Sequence, residues 1–213
     1  MATARYTWSA VGSEFARAAY NVATTAKTNK LVDTARLSFE PGRVEIAATD
    51  GFVASRDWCP VYSGPETPVM AAIPLDALGA LDKTARLARS EAIGLTWIPG
   101  DGLILDAGDV RESAEDRGQD GRREHEYIDD LFREADEGLP EPQRALMLSP
   151  VYMARFRTIK PSTGKAPGMD LLLFGEDAPV FIRIGPSFKA LVQPIDRERH
   201  AAYVGPDGQD GLW

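Results

Sequence analysis

The chain has 213 residues, 44% of them hydrophobic and 26% charged, which suffices for one large or two small domains with a buried core and excludes wholesale disorder. No apolar run approaches the roughly 18–20 residues of a membrane span and the N-terminal MATARYTWSA lacks a secretory layout, so a cytoplasmic protein with no membrane partner is expected; one cysteine and two histidines exclude a disulfide and leave a Cys/His zinc site short of ligands, so no metal or cofactor is expected. The net charge of −8 speaks against nucleic acid only until it is located: thirteen acids and five arginines between Asp109 and Glu141 account for all of it, and the remainder is neutral, with 19 basic and 19 acidic residues.

Three stretches repeat one order of elements. In the first, Arg5 to Val61, RYTWSAV alternates as a strand. SEFARAAYNVATTA follows with Phe15, Ala19, Val22 and Ala26 on one helical face and Ser13 as the expected N-cap. TARLSFE, RVEIAATD and FVASRDWCPV then read as strands, divided by the turn signals Pro41-Gly42 and Asp50-Gly51. The second stretch, Pro68 to Ala114, opens with the strand PVMAAI, and Pro74 is expected in the first turn of a helix running from Leu75 to Ala88. Leu75, Leu78, Leu81 and Ala85 form its inner face, and IGLTWIP and GLILDAG make a hairpin around Pro99–Gly102.

The acidic segment comes next. EYIDDLFREA within it holds one short amphipathic helix or an extended docking strand, and the rest reads as a linker. The third stretch, Arg144 to Ile195, starts with RALMLS as a strand and a helix opened by Pro150, with Tyr152, Met153, Phe156 and Ile159 near helical spacing. MDLLLFG, APVFIRIG and SFKALVQPI close it, and a tail rich in Gly, Asp and Pro follows. The domains expected are therefore 1–108 with two repeat units, 109–142 as acidic linker or insertion, 143–196 as a half domain, and a tail at 197–213.

No nucleophile, base and orienting group recur at a catalytic spacing, and the glycines match no phosphate loop, so no catalytic residue is assigned and the protein is read as non-enzymatic. Cys59 reads as a structural thiol, and Asp50 as a turn residue more than a catalytic acid. His125 and His200 lie in charged stretches that read as solvated. Basic residues recur on all three helices and their exit loops: Arg17, Lys27 and Lys30; Lys83, Arg86 and Arg89; Arg155, Arg157, Lys160 and Lys165. Helices aligned on one face of a continuous sheet would make that face positive, able to follow a phosphate backbone without reading sequence, although solvated helices often carry such residues.

The run VEIAATDGFVASRDWCPV, behind SEFARAAYNVA, resembles the middle domain of bacterial DNA polymerase sliding clamps, the beta subunit of the replicative polymerase. VMAAIPLDALGAL resembles the second half of that domain. Tyr127 to Pro140 resembles the crossing into the last domain, and SPVYMARF, PVFIRIG and LVQPI resemble that domain's closing half. The resemblance implies an α+β fold of strand–helix–three-strand units, helices on one face of a continuous antiparallel sheet. It implies a protein that holds a DNA polymerase or another DNA-acting protein to duplex DNA, with Thr49, Gly51, Phe52, Val53 and Ala54 facing Val192, Gln193, Pro194 and Ile195 across a pocket for a partner peptide.

Departures are marked. Phe52-Val53 replace a polar pair of the family and Gln193-Pro194 its Met-Pro, and there are three units where a clamp subunit has six. The unpaired unit either completes a domain in a homo-oligomer or belongs to no ring. A shortened clamp of the kind a bacteriophage encodes is the first reading. The alternative is a clamp-fold adaptor that binds a viral recombinase or integrase and alters its direction.

Overall fold

A computed structural model describes residues 4–26, 32–87, 92–118, 125–139, 146–162, 168–175 and 178–196. β1 (Tyr6–Val11) runs without a linker into α1 (Gly12–Thr25). The capping position is therefore Val11, still in extended conformation, and Ser13 is an exposed residue inside the first turn, which corrects its expected role as N-cap. β2 (Thr34–Glu40), β3 (Arg43–Thr49) and β4 (Val53–Ser63) complete the first unit where the alternation places them.

In the second unit, β5 (Val69–Pro74) precedes α2 (Ala77–Leu87). Pro74 is the last residue of β5, opposite Thr34, and does not open the helix. At the end of an outer strand its missing N–H breaks no ladder. β6 (Ala92–Ile98) and β7 (Gly102–Ala107) form the expected hairpin, and β8 (Val110–Glu115) adds a third strand inside the acidic segment. Gly102 permits this close pairing. Its φ is 139°, and a Cβ there would lie 2.0 Å from the Ala114 carbonyl oxygen. The acidic segment then forms α3 (Glu126–Glu137), so two regular elements stand where the sequence suggested mostly linker.

The third unit differs at its start. Residues 146–149 join no ladder, so RALMLS is not a strand over its described part, although the Ile195 N–H donates to the Met147 carbonyl at 2.8 Å. Pro150 does open a helix, α4 (Pro150–Ala154), which tightens into a 3₁₀ turn at Arg155–Thr158. β9 (Met169–Leu172), β10 (Val180–Ile184) and β11 (Phe188–Val192) follow.

All strand pairs are antiparallel, in the order β5-β2-β3-β4-β1-β6-β7-β8. β4 is the branch point. One of its edges pairs with β3, while the other pairs with β11 over Val53–Arg56 and with β1 at Val61 and Ser63. β10 and β9 continue outward from β11.

Alternation along the strands divides the apolar residues by face. Phe15, Val22, Leu78 and Leu81 from α1 and α2 pack on Trp8, Leu37, Phe39 and Trp97, with Trp8 stacked on Phe39 at 4.0 Å between centroids. On the same face, Val53, Val180, Ile182, Phe188 and Val192 pack beneath Phe156, Tyr152 and Ile159 of the third unit. The intervening residues Ala54, Phe181 and Leu191 meet Ile128, Phe132 and Ala135 of α3. α3 therefore covers the face opposite to α1 and α4.

Candidate nucleic-acid and partner interfaces

α1 carries a polar stripe at helical spacing, Arg17, Asn21 and Thr25, buried against β4 where its second edge passes from β11 to β1. Arg17 pairs with Asp57 and Glu14 and donates to the Trp58 carbonyl at 2.7 Å. Asn21 Nδ2 donates to Asp57 and to the Lys160 carbonyl, both at 2.8 Å, and Asn21 Oδ1 accepts the Lys160 N–H at 2.9 Å. Thr25 donates to Ser55 at 2.6 Å, and its carbonyl accepts from Arg155 at 2.8 Å. This stripe joins the first unit to the third. Burial pushes the Asp57 carboxyl above the ordinary range, while Arg17 and Asn21 pull it back. The spacing i, i+4, i+8 was legible in the sequence, but Asp57, its principal partner, lies 40 residues from Arg17.

The expected DNA-facing residues separate accordingly. Arg17 is 7% exposed, and Arg155 is paired with Asp50. Both point into the protein, which corrects their assignment: each is the counter-ion of a buried carboxylate. Lys83 and Arg157 are exposed. Arg86, paired with Asp82, and Lys160 approach the Tyr20 ring at 4.9 and 4.0 Å, so cations from α2 and the third unit converge on an aromatic of α1. Lys27, Lys30, Arg89 and Lys165, like His200, lie outside the described residues.

The expected peptide pocket separates as well. Asp50 accepts the N–H groups of Phe52 and Val53 at 3.1 and 2.9 Å, while Thr49 accepts the Gly51 N–H at 3.0 Å. Gly51 turns the chain at φ 86°. Asp50 is thus a turn-forming carboxylate tied to Arg155. The turn presents Phe52, 57% exposed, which stacks on Tyr152 at 5.6 Å beside exposed Val151. The Gln193 N–H donates to the Phe52 carbonyl at 3.0 Å, bringing exposed Gln193 and half-exposed Pro194 and Ile195 to the same place. Val53 and Val192 are fully buried in the core, and Ala54 lies under α3. Those three, and Thr49, which is buried and donates its hydroxyl to the Val53 carbonyl, offer no open surface to a partner.

On the opposite face α3 is held by Phe132, which is fully buried with the Arg56 guanidinium 4.4 Å over its ring, and by two carboxylates. Asp129 pairs with Arg36, and Asp136 with Arg56 and Lys189, the latter at 2.6 Å. His125 is buried, its Nε2 3.2 Å from the Thr34 carbonyl; burial first, then Arg36, pushes its pKa down to about 4. Its charged neighbourhood suggested solvation, whereas the fold shuts the ring in. Cys59 is a buried thiol, pushed up to about 12 by burial and therefore inert at neutral pH. Among the described residues no helix is long and apolar enough to cross a membrane.

No family model matches the chain, and no curated protein matches it. Solved structures do. A DNA polymerase sliding clamp from Pseudomonas aeruginosa aligns with 90% of this chain at a TM-score of 0.65 and 11% identity, over 66% of its own length. The DNA polymerase III beta subunit of Thermotoga maritima aligns with 90% at 0.65 and 11%, over 65% of its length. The C. crescentus beta sliding clamp aligns with 92% at 0.63 and 14%, over 66%. This chain spans just under two thirds of the length of these proteins, and its α+β fold, with helices against an antiparallel sheet, is the sliding-clamp fold.

Proposed function

We propose that this is a non-enzymatic, clamp-like protein that keeps a DNA polymerase or another DNA-acting protein on duplex DNA, its helical layer toward the phosphates. The observation that carries the reading is the meeting of Arg86, Tyr20 and Lys160 on that layer, close to exposed Lys83 and Arg157 in sequence, while the opposite face carries the acidic α3. Such a surface attracts phosphate through charge and reads no base. The partner segment docks at the turn bearing Phe52, against Tyr152, Pro194 and Ile195, which supply an apolar surface between two units.

The test is retention on nicked circular DNA. Lys83→Glu with Arg86→Glu is expected to weaken retention at least tenfold and to flatten its dependence on salt. Release of the protein when the circle is cut supports encirclement, and equal retention by the double variant overturns the assigned DNA face.

A second reading keeps the fold and gives up the ring: an adaptor that binds a DNA-acting protein such as a phage integrase. It is favoured by the enclosure of Arg17 and Arg155, which leaves fewer cations for DNA than the sequence suggested. It predicts partner capture that is insensitive to Lys83 and Arg86 and lost with Phe52→Ala.

A further inference from the structure

α3 has little reason to be a helix by itself. Twelve residues are marginal for an isolated helix, its capping position has no side-chain cap, and its last turn holds Glu134, Asp136 and Glu137 with no basic residue to meet the negative end of the helix. What holds it is the sheet surface: an apolar centre of Ala54, Phe181 and Leu191, bordered by Arg36, Arg56 and Lys189. The helix does not fill that surface. Beside its C-terminal half an open, mostly apolar cleft of about 280 Å³ lies between Leu131, Glu134, Leu139, Phe174, Pro179 and Leu191, and Leu139 is 88% exposed.

We propose that this surface is a docking site for an acidic amphipathic segment of a partner protein, and that α3 is its resident occupant, displaced when the partner binds. The occupant's chemistry is read from what already sits there: one aromatic at the centre, aliphatic residues one turn to either side, and carboxylates seven residues apart facing the cations. Arg36, whose other carboxylate is Glu45 at 3.8 Å, and Arg56 and Lys189, which meet at Asp136, favour those carboxylates; a basic or purely apolar segment would take from them their closest partners. The cleft gives the incoming segment an apolar foothold before α3 leaves. The inference rests on the proposed function only in taking the partner to be a DNA-acting protein.

The experiment uses the full chain and a fluorescently labelled peptide of residues 125–139 as probe, read by anisotropy without DNA. Asp129→Asn with Asp136→Asn loosens the resident helix and leaves the cations of the sheet in place. The peptide is expected to bind this variant at least tenfold more tightly than the unmodified chain, and adding Arg56→Glu should abolish the gain. Hydrogen exchange supplies a readout independent of variants: in the unmodified chain, amides of α3 should exchange at least 100-fold faster than those of β4 and β11. Equal binding to both chains, binding indifferent to Arg56, or α3 amides as protected as the sheet would overturn the proposal. Loss of DNA retention with an intact peptide response would instead count against the clamp reading alone.

Discussion

Asp57 shows how much one side chain carries here. It is fully buried, ties α1 to β4 through Arg17 and Asn21, and sits where the β4 edge changes partner from β11 to β1. Asp57→Ala would leave the Arg17 guanidinium buried without its main partner, so a loss of about 3–5 kcal/mol is expected, read from the urea midpoint. Replacing both residues by apolar ones of similar size should recover most of that loss, because the cost lies in the unpaired charge. Phe52 is the opposite case. The residue is over half exposed, so Phe52→Ala should change stability by no more than about 0.5–1 kcal/mol while abolishing partner capture. A stable variant that still captures the partner would remove the turn from the docking surface.

Among the elements, α3 has a pH response of determinable sign. His125 is held neutral by burial, with Arg36 adding repulsion and the Thr34 carbonyl and Asp129 opposing. Between its ordinary value of 6.5 and its folded value of about 4, the ring takes up a proton only when α3 is released. The contribution of His125 to the docking of α3 is therefore fully present above pH 6.5 and is lost as pH falls toward 4, by an amount on the order of 1–3 kcal/mol. Asp57 and Glu45, whose carboxyls burial pushes up, act with opposite sign. Global unfolding would blur the two effects, so the measurement is local: exchange of α3 amides at pH 7 and pH 5, corrected for intrinsic rates. Protection should fall at least tenfold in the unmodified chain and change little in His125→Gln. Unchanged protection in the unmodified chain would mean that the ring is not shut in.

At the scale of the whole molecule, the three units are joined edge to edge through β4, and the sheet ends on one side at the short strand β9, where Met169 and Leu171 are exposed. The unpaired backbone groups of an outer strand and its exposed apolar side chains invite pairing with another chain, even though the shortness of β9 limits it. If a second copy completes the unpaired unit, light scattering behind a sizing column should give a multiple of 23.2 kDa that persists on dilution, and Leu171→Lys should return it to the single-chain mass. A single-chain mass at every concentration would exclude a closed homo-oligomer and favour the adaptor.

The sequence by itself determined most of the element order, though neither β8 nor the loss of a strand at 146–149: alternation in β1 to β4, the apolar faces of α1 and α2, the glycine-bearing turns and the closing strands of the third unit are local patterns, legible because period 2 and period 3.6 are imposed residue by residue. It also located the acidic segment and the turn that carries Phe52. Which cations remain exposed could not be read in this way. Arg17, Lys83 and Arg155 belong to one residue class, and only the juxtaposition of Arg17 with Asp57 and of Arg155 with Asp50, across 40 and 105 residues, removes two of them from the surface. The same holds for α3. Its amphipathic pattern permitted a helix or a docking strand, and the cations that hold it as a helix come from β2, β4 and β11, brought together only when the sheet forms.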